Sequence, residues 1–399
     1  MSTSARTPWP RIAVLLCAGV AVALHVGKVP GAIALLRHDL GLGLTAAGWV
    51  VSIFNLVAAG AGFALGLLAD RVGQARAALA GLLLTAAASA AGAGAANPAW
   101  LLASRAVEGL GFMLVAVSVP FLIAGAAAPQ DRRVALGLWG ANVPLGIGAM
   151  LLLGAPLLDR IGWRGLWLLG AALAAAAAAA LCRSTRGVPV ARRPRGAAPL
   201  AQIRRLAAHR GPLLLAATFA LYAGQYLAVI GFLPLILAEV DGLPGSAAAA
   251  LGAVAVLGNV LGNAGAGFAL RRGIGADRLL IGASAAMAAG AALVFAQDAG
   301  PVAHVGGAIA FSAVGGLIPG TLFAVAPERS PAPELLSGVN GLMMQGSALG
   351  QFVLPPGVAA IAASHGGWTA AAAATTSAAA LVVLLARRLA RLSGPQAAR

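Results

Sequence analysis

Twelve apolar runs, each close to or beyond twenty residues and nearly free of charge, follow one another along the chain. Coiled as an α-helix, a run of that length matches the hydrocarbon thickness of a bilayer, about 30 Å. The runs predict spans near 11–36, 46–69, 76–96, 99–125, 133–158 and 163–182, then near 211–238, 246–270, 277–297, 301–326, 334–362 and 368–390. Only 10% of the 399 residues are charged, too little to clothe a soluble domain of this size. Within lipid, helices satisfy their own backbone groups, and 54 glycines with abundant alanine suit helices that approach one another closely. The first run resembles a signal peptide as far as Ala21-Val22-Ala23, but it stays apolar to Leu36 and is read as the first span.

A net charge of +16 and a pI near 11.8 would also suit a nucleic-acid partner. Placement of the charges argues against one. With the N-terminus inside, 22 of the 27 basic residues fall in cytoplasmic segments, while only Arg37, Arg160 and Arg164 fall on the opposite side. Such an asymmetry orients a multi-pass protein with both termini in the cytoplasm. Cys17 and Cys182 lie in apolar runs without metal-ligand spacing and read as small hydrophobes.

The chain also repeats itself. AGAGFAL occurs at Ala59–Leu65 and again at Ala264–Leu270; at nearly the same displacement Gly146 answers Gly350 and Trp163 answers Trp368. The expected organisation is an all-α membrane protein: a six-helix bundle over 1–182, a basic cytoplasmic linker over 183–210, and a second six-helix bundle over 211–399. Both copies start on the same side, so the repeats run parallel about an axis along the membrane normal. Spans 3, 6, 9 and 12 are almost purely small and aliphatic and read as scaffold. Polar residues gather in the others, where they are expected to face a bundle interior or water.

The loop after span 2 reads GLLADRVGQAR, from Gly66 to Arg76. It resembles the best-known motif of the major facilitator superfamily, G-x-L-a-D-r-x-G-r-[RK], at Gly66, Leu68, Ala69, Asp70, Arg71 and Gly73. Its basic end is weaker, with Gln74-Ala75 ahead of Arg76. Span 4 offers RAVEGLGF, similar to the family's R-x-x-q-G-x-g, with Arg105, Gly109 and Gly111 in place and Glu108 where Gln is frequent. Gly140 to Gly148 is a partial likeness to the family's antiporter motif without the Gly before Pro144, a departure that leans against antiport. The start of span 1 and the short loops resemble the cyanate/nitroimidazole-transporter-like branch. The resemblance implies the twelve-helix fold of that superfamily and a cytoplasmic gate at Gly66, Asp70, Arg71, Gly73 and Arg76. It also implies proton-coupled movement at Arg105.

Lys28 is the only lysine, and it sits about 13 Å below Arg37 at the helical rise. Glu108 lies at similar depth. His25 and Lys28 are three residues apart, as are Arg105 and Glu108, so each pair shares a helix face. A charge at mid-bilayer costs about 2.5–3.5 kcal/mol on insertion scales, a cost that clustering around one wet cavity reduces. Two readings stay open: a polar centre of Lys28, Arg105, Glu108 and His25 for substrate and protons, or a snorkelling lysine beside a structural Arg–Glu pair. Further candidate lining residues are Asn55, Asn142, Tyr222, Gln225, Tyr226, Asn259, Asn263 and Asn340, with Ser347 on the face of Asn340; span 10 has almost nothing polar at its centre. Pro30, Pro120, Pro144, Pro234 and Pro319 are expected to kink their helices.

No phosphate-binding loop, metal cluster or nucleophile–base set is visible, so neither an enzyme nor a cofactor is expected. The expectation is a monomeric secondary transporter in the bacterial inner membrane, moving a small organic or inorganic anion with proton coupling by alternating access. Efflux of drugs or metabolites is the alternative within that class; a channel or membrane-embedded receptor is the alternative outside it.

Overall fold

The computed structural model of the chain describes residues 7–185, 205, 206, 208–332 and 335–392. The side chains of Phe63, Leu67, Asp70, Arg133, Gly137 and Ser337 also fall outside the description. The first half contains α1 (Trp9–Leu40), α2 (Leu44–Ser52), a 3-10 turn (Ile53–Asn55), α3 (Leu56–Val72), α4 (Gln74–Ala93), α5 (Pro98–Ala126), α6 (Arg132–Gly140) and α7 (Asn142–Thr185). The second contains α8 (Arg210–Glu239), α9 (Gly245–Arg271), α10 (Ala276–Phe295), α11 (Gly300–Gly315), α12 (Leu317–Arg329), α13 (Leu336–Ser364) and α14 (Ala371–Arg391). Residues 186–204 of the expected linker lie outside the described part.

Local chemistry accounts for the element ends. Asn97 caps α5 by accepting a hydrogen bond from the Trp100 N–H, and Pro98 occupies the first turn, where its missing donor costs nothing. Gly41 closes α1 in the left-handed region at φ 62°. Among the described residues, eleven helical stretches are long and apolar enough to cross a membrane. One of them, α7, has 44 residues, about 66 Å of helix and twice the hydrocarbon thickness. It breaks at Gly162 (φ 62°, ψ 179°), a conformation open to glycine and hostile to side chains. Divided there, α7 is long enough for two passes. The expected span limits agree with the helices to within a few residues elsewhere.

The prolines behave in two ways. Pro144 and Pro319 stand four residues after Gly140 and Gly315, where α6 and α11 end. The ring clashes with that carbonyl and offers it no N–H. Pro30, Pro120 and Pro234, by contrast, lie inside unbroken helices, so the kinks expected there do not interrupt the elements. Span 2 breaks without a proline, at the 3-10 turn Ile53–Asn55.

Close helix crossings repeat in the two halves. A Cβ on Gly146 of α7 would meet Ala23 of α1 at 2.4 Å, and one on Gly350 of α13 would meet the Ala220 carbonyl of α8 at 1.9 Å. The glycines that answer each other in sequence therefore make the same crossing. AGAGFAL likewise lies within the second span of each half, in α3 and in α9. The halves meet through α13 against α2 and α3, and through α9 against α7: Gly48 lies against Pro356 and Ala359, Gly148 against Leu257, and the Gln345 amide donates to the Ala59 carbonyl at 2.9 Å. At the arginine-poor end, Arg37 of α1 pairs with Glu239 at the end of α8, and Asp39 accepts the Trp163 indole N–H at 2.9 Å. At the arginine-rich end, the Thr7 hydroxyl bonds Asp131 and accepts the Ala128 N–H at 3.0 Å.

Candidate functional site

His25 and Lys28 point from one face of α1 toward Arg105 and Glu108 on one face of α5. Between them the side chains build a closed network. The Lys28 ammonium has three N–H bonds and three acceptors: a Glu108 carboxylate oxygen, the Ser89 hydroxyl at 2.8 Å and His25 Nδ1 at 3.0 Å. Arg105 binds the other Glu108 oxygen and donates to the His25 carbonyl at 2.8 Å. Since Nδ1 of His25 accepts from the ammonium, the ring proton is assigned to Nε2. The Ser89 hydroxyl passes its own proton to the Trp167 carbonyl at 2.7 Å. Rings complete the shell: Lys28 lies 4.3 Å from the Trp167 ring centroid, and Arg105 lies 4.6 Å from that of Phe54. Gly170 leaves room for the imidazole, because a Cβ there would sit 3.0 Å from His25 Cε1.

The four expected residues are thus brought together, and Lys28 does not snorkel. They are not brought to water. His25, Lys28, Arg105 and Glu108 are all at most 1% exposed, and the cluster turns toward α4 and the second part of α7, inside the first bundle. The expected wet cavity at these residues is absent in this arrangement. Ser89 and Trp167 belong to spans 3 and 6, which the sequence reads as mere scaffold, so that reading needs correction. Formal charge explains the tight closure, since two cations share one carboxylate in low dielectric; the buried His25 Nε2 and Arg105 Nε have no hydrogen-bond partner among the described residues.

The second half holds an uncharged counterpart. Asn259 of α9 donates to the Tyr222 hydroxyl at 2.9 Å and to the Ser312 carbonyl at 3.0 Å, and Asn263 donates to the Asn259 side-chain oxygen at 2.8 Å. The Tyr226 and Ser312 hydroxyls lie 3.2 Å apart. Ser312 belongs to α11, so span 10 does contribute a polar group at its centre. Along the same wall the rings of Phe219, Tyr222, Tyr226 and Phe311 follow one another at 5.8–6.2 Å between centroids, with Phe323 edge-on to Phe219. Gln225 is fully buried, and neither end of its amide has a hydrogen-bond partner among the described residues. The buried side-chain oxygen of Asn340 is unpartnered in the same sense; Ser347 accepts from Gln351 at 3.0 Å.

The remaining candidates are scattered. Asn55 ends the 3-10 turn and is half-buried. Asn142 starts α7 against Gly19, whose Cβ would meet its amide nitrogen at 2.8 Å. At the candidate gate, Gly73 joins α3 to α4 at φ 100°, Gly66 is half-buried, and Arg71 and Arg76 are exposed. The Asp70 side chain lies outside the description. Ser89, Trp167, Phe54 and Ser312 were missing from the sequence-derived set. A serine among alanines or an aromatic in an apolar run carries no periodic signal that marks it as a partner of a distant charge.

A family model described as Major Facilitator Superfamily matches residues 14–355. Among curated proteins, the chain is similar to the methyl viologen resistance protein SmvA of Salmonella typhimurium, 29% identical over 40% of this chain and 33% of that protein. It is also similar to the methylenomycin A resistance protein of Bacillus subtilis, 30% identical over 45% and 39%, and to the multidrug efflux pump LfrA of Mycolicibacterium smegmatis, 28% identical over 42% and 34%. The chain spans about a third of the length of these relatives. Among solved structures, a bacterial homolog of the human lysosomal transporter Spinster matches with a TM-score of 0.73 at 19% identity, covering 97% of this chain and 96% of that one. The nucleoside transporter NupG matches with a TM-score of 0.78 at 14% identity, covering 96% and 99%. At such identities the likeness shows the fold alone.

Proposed function

The chain belongs to the Major Facilitator Superfamily, and from that membership we propose that it exports an amphiphilic organic compound in exchange for protons. Work is by alternating access across the bacterial inner membrane, with the arginine-rich end in the cytoplasm. The observation that carries this reading is the wall of α8, α9 and α11: stacked rings, phenol hydroxyls and amides with no formal charge. Such a surface binds flat apolar bodies by area and stacking and orients them with a few hydrogen bonds. The unpartnered amide of Gln225 in the same helix adds a donor and an acceptor for a ligand. The names of the resistance and efflux relatives point the same way.

Anion uptake asks Lys28 and Arg105 to offer open donors to a cavity. All three Lys28 donors are taken; Arg105 spends Nη1 on Glu108 and the His25 carbonyl, and its unpartnered Nε is buried with the side chain at 1% exposure. Their place is therefore coupling and not substrate capture: the Glu108 cluster is the proposed proton-responsive element, and Gly66, Asp70, Arg71, Gly73 and Arg76 the proposed cytoplasmic gate.

Everted vesicles from a bacterial host stripped of its major drug pumps test the reading. Ethidium or methyl viologen added to energised vesicles that contain the protein should release protons, and Tyr222→Leu or Asn259→Leu should reduce the release. Absence of any proton movement with such cations, together with saturable uptake of a small carboxylate by intact cells, would return the assignment to anion transport.

A further inference from the structure

His304 takes no part in the sites above, yet its surroundings are unusually demanding. It lies one turn into α11 and is fully buried. Both ring nitrogens meet acceptors: Nδ1 stands 2.7 Å from an Asp241 carboxylate oxygen and Nε2 stands 2.8 Å from the Ala296 carbonyl. Neutral imidazole has a single N–H and satisfies one of them; only the imidazolium donates to both. The Asp241 carboxylate is itself nearly buried, at 3%. The charged groups at this end of the elements packed on α11 are Glu239 at the end of α8, Asp241 after it and Asp298 after α10, all acidic, with Arg37 of α1 paired to Glu239; Arg210, Arg271 and Arg278 lie at the opposite ends of α8, α9 and α10.

Asp241 belongs to a short turn that folds back on α8. Its neighbour Gly242 has φ 66°, and the Leu243 N–H reaches the Leu237 carbonyl at 3.0 Å. Two residues before Asp241, Glu239 crosses to Arg37 and joins the halves. Apolar crossings close the same region, with Gly231 against Val51 and Trp49 against Phe352 at 5.4 Å between centroids.

We propose that His304 and Asp241 form a proton-binding site that sets the outer gate. With the proton bound, the pair pins the turn after α8 to α10 and α11 and keeps Glu239 within reach of Arg37, so the halves stay closed outside. Without it, the ring leaves one buried acceptor facing another, the turn is released, and the outer ends part. The proton arrives from the outer side, about one helical turn away. On the exporter reading, on which this clause alone rests, an outside proton thereby returns the carrier to the state that loads substrate from the cytoplasm.

The test is a pulsed electron-resonance distance between spin labels at Arg160→Cys and Val302→Cys, two exposed outer positions in different halves. A Cys17→Ser/Cys182→Ser background in lipid nanodiscs, without any substrate, is measured from pH 5 to pH 9. The wild-type chain should show the shorter distance at acid pH and a growing longer-distance population toward alkaline pH. His304→Gln should abolish that response. Glu239→Gln, which touches only the surface pair, should raise the longer-distance population at pH 5 about twofold to fivefold, the range for exposed ion pairs. Distances that ignore pH in the wild type, or a His304→Gln variant that responds as the wild type does, overturn the inference. If His304→Gln fails to fold, Glu239→Gln decides, and an unchanged distribution at pH 5 overturns it. Because no substrate is present, such a failure leaves the exporter reading standing.

Discussion

Removing the carboxylate at position 108 separates a structural ion cluster from a decorative one. In the native chain one carboxylate serves two cations, each on its own oxygen, with all three groups at most 1% exposed. Glu108→Gln keeps the shape but raises the buried formal charge from +1 to +2 and leaves Lys28 and Arg105 without their counter-ion. Breaking a buried pair by deleting one partner costs about 3–5 kcal/mol. Extrapolated to a chain of this length, that loss lowers the unfolding midpoint by roughly 5 °C. Lys28→Met does the opposite to the charge: the Arg105–Glu108 pair remains and the cluster becomes neutral. Replacing such a buried ion by an apolar side chain of similar volume is neutral or stabilising by about 1–4 kcal/mol, set here against the acceptor left empty at His25 Nδ1. The expected order of stability is therefore Lys28→Met at or above wild type, with Glu108→Gln well below both. The double variant should recover part of the Glu108→Gln loss, since it leaves one unpaired cation and not two. Thermal unfolding of purified protein, followed by tryptophan fluorescence in one detergent at one pH, measures this. A Glu108→Gln midpoint within 1 °C or so of wild type would refute the reasoning, because an uncompensated buried cation pair cannot be that cheap.

Gly350→Ala forces a methyl to within 1.9 Å of the Ala220 carbonyl, so α13 must move off α8; a loss of about 1–3 kcal/mol is expected in the same unfolding assay. Gly162→Ala, where φ is 62° and ψ 179° with open space around the site, should cost about 1–3 kcal/mol from backbone strain alone, and a variant as stable as wild type would contradict the break. Tyr226→Phe removes the hydroxyl beside Ser312 and should reduce export about twofold to tenfold, the kinetic equivalent of one hydrogen bond, with little change in midpoint.

How much of this was written in the sequence follows from the physics of each feature. Span limits were legible because lipid imposes one length on every helix. The break at Gly162 was half-legible: two spans were expected on either side of it, but a glycine between apolar runs does not announce its φ. The meeting of His25, Lys28, Arg105 and Glu108 was legible because buried charges seek each other. Their closure from water was not, since it depends on Ser89 and Trp167 arriving from spans whose composition looks inert. Ser312 escaped for a similar reason, as a hydroxyl in a helix interior more often bonds its own backbone. His304 escaped too, because its carboxylate partner stands 63 positions away in a loop.

The internal repeat carries this division of labour further. Taking the displacement of 204 residues that relates Gly146 to Gly350, Asn55 answers Asn259 and Glu108 answers Ser312. The crossings around these positions are also alike: Gly109 would meet the Phe54 carbonyl at 1.8 Å, and Gly316 would meet the Asn259 carbonyl at 2.4 Å. The two halves therefore press the second and fourth spans together in the same way and differ in the polar group delivered there. In the first half it is a carboxylate that demands cations and so recruits Lys28 and Arg105. In the second it is a hydroxyl that meets only the Tyr226 phenol, while the Asn259 amide takes the Ser312 backbone carbonyl, which leaves an uncharged wall beside the stacked rings. A repeated frame with one ionic and one neutral centre is a physical basis for separating the proposed proton-responsive chemistry from the proposed binding of an apolar solute, because neither centre must satisfy the desolvation demands of the other.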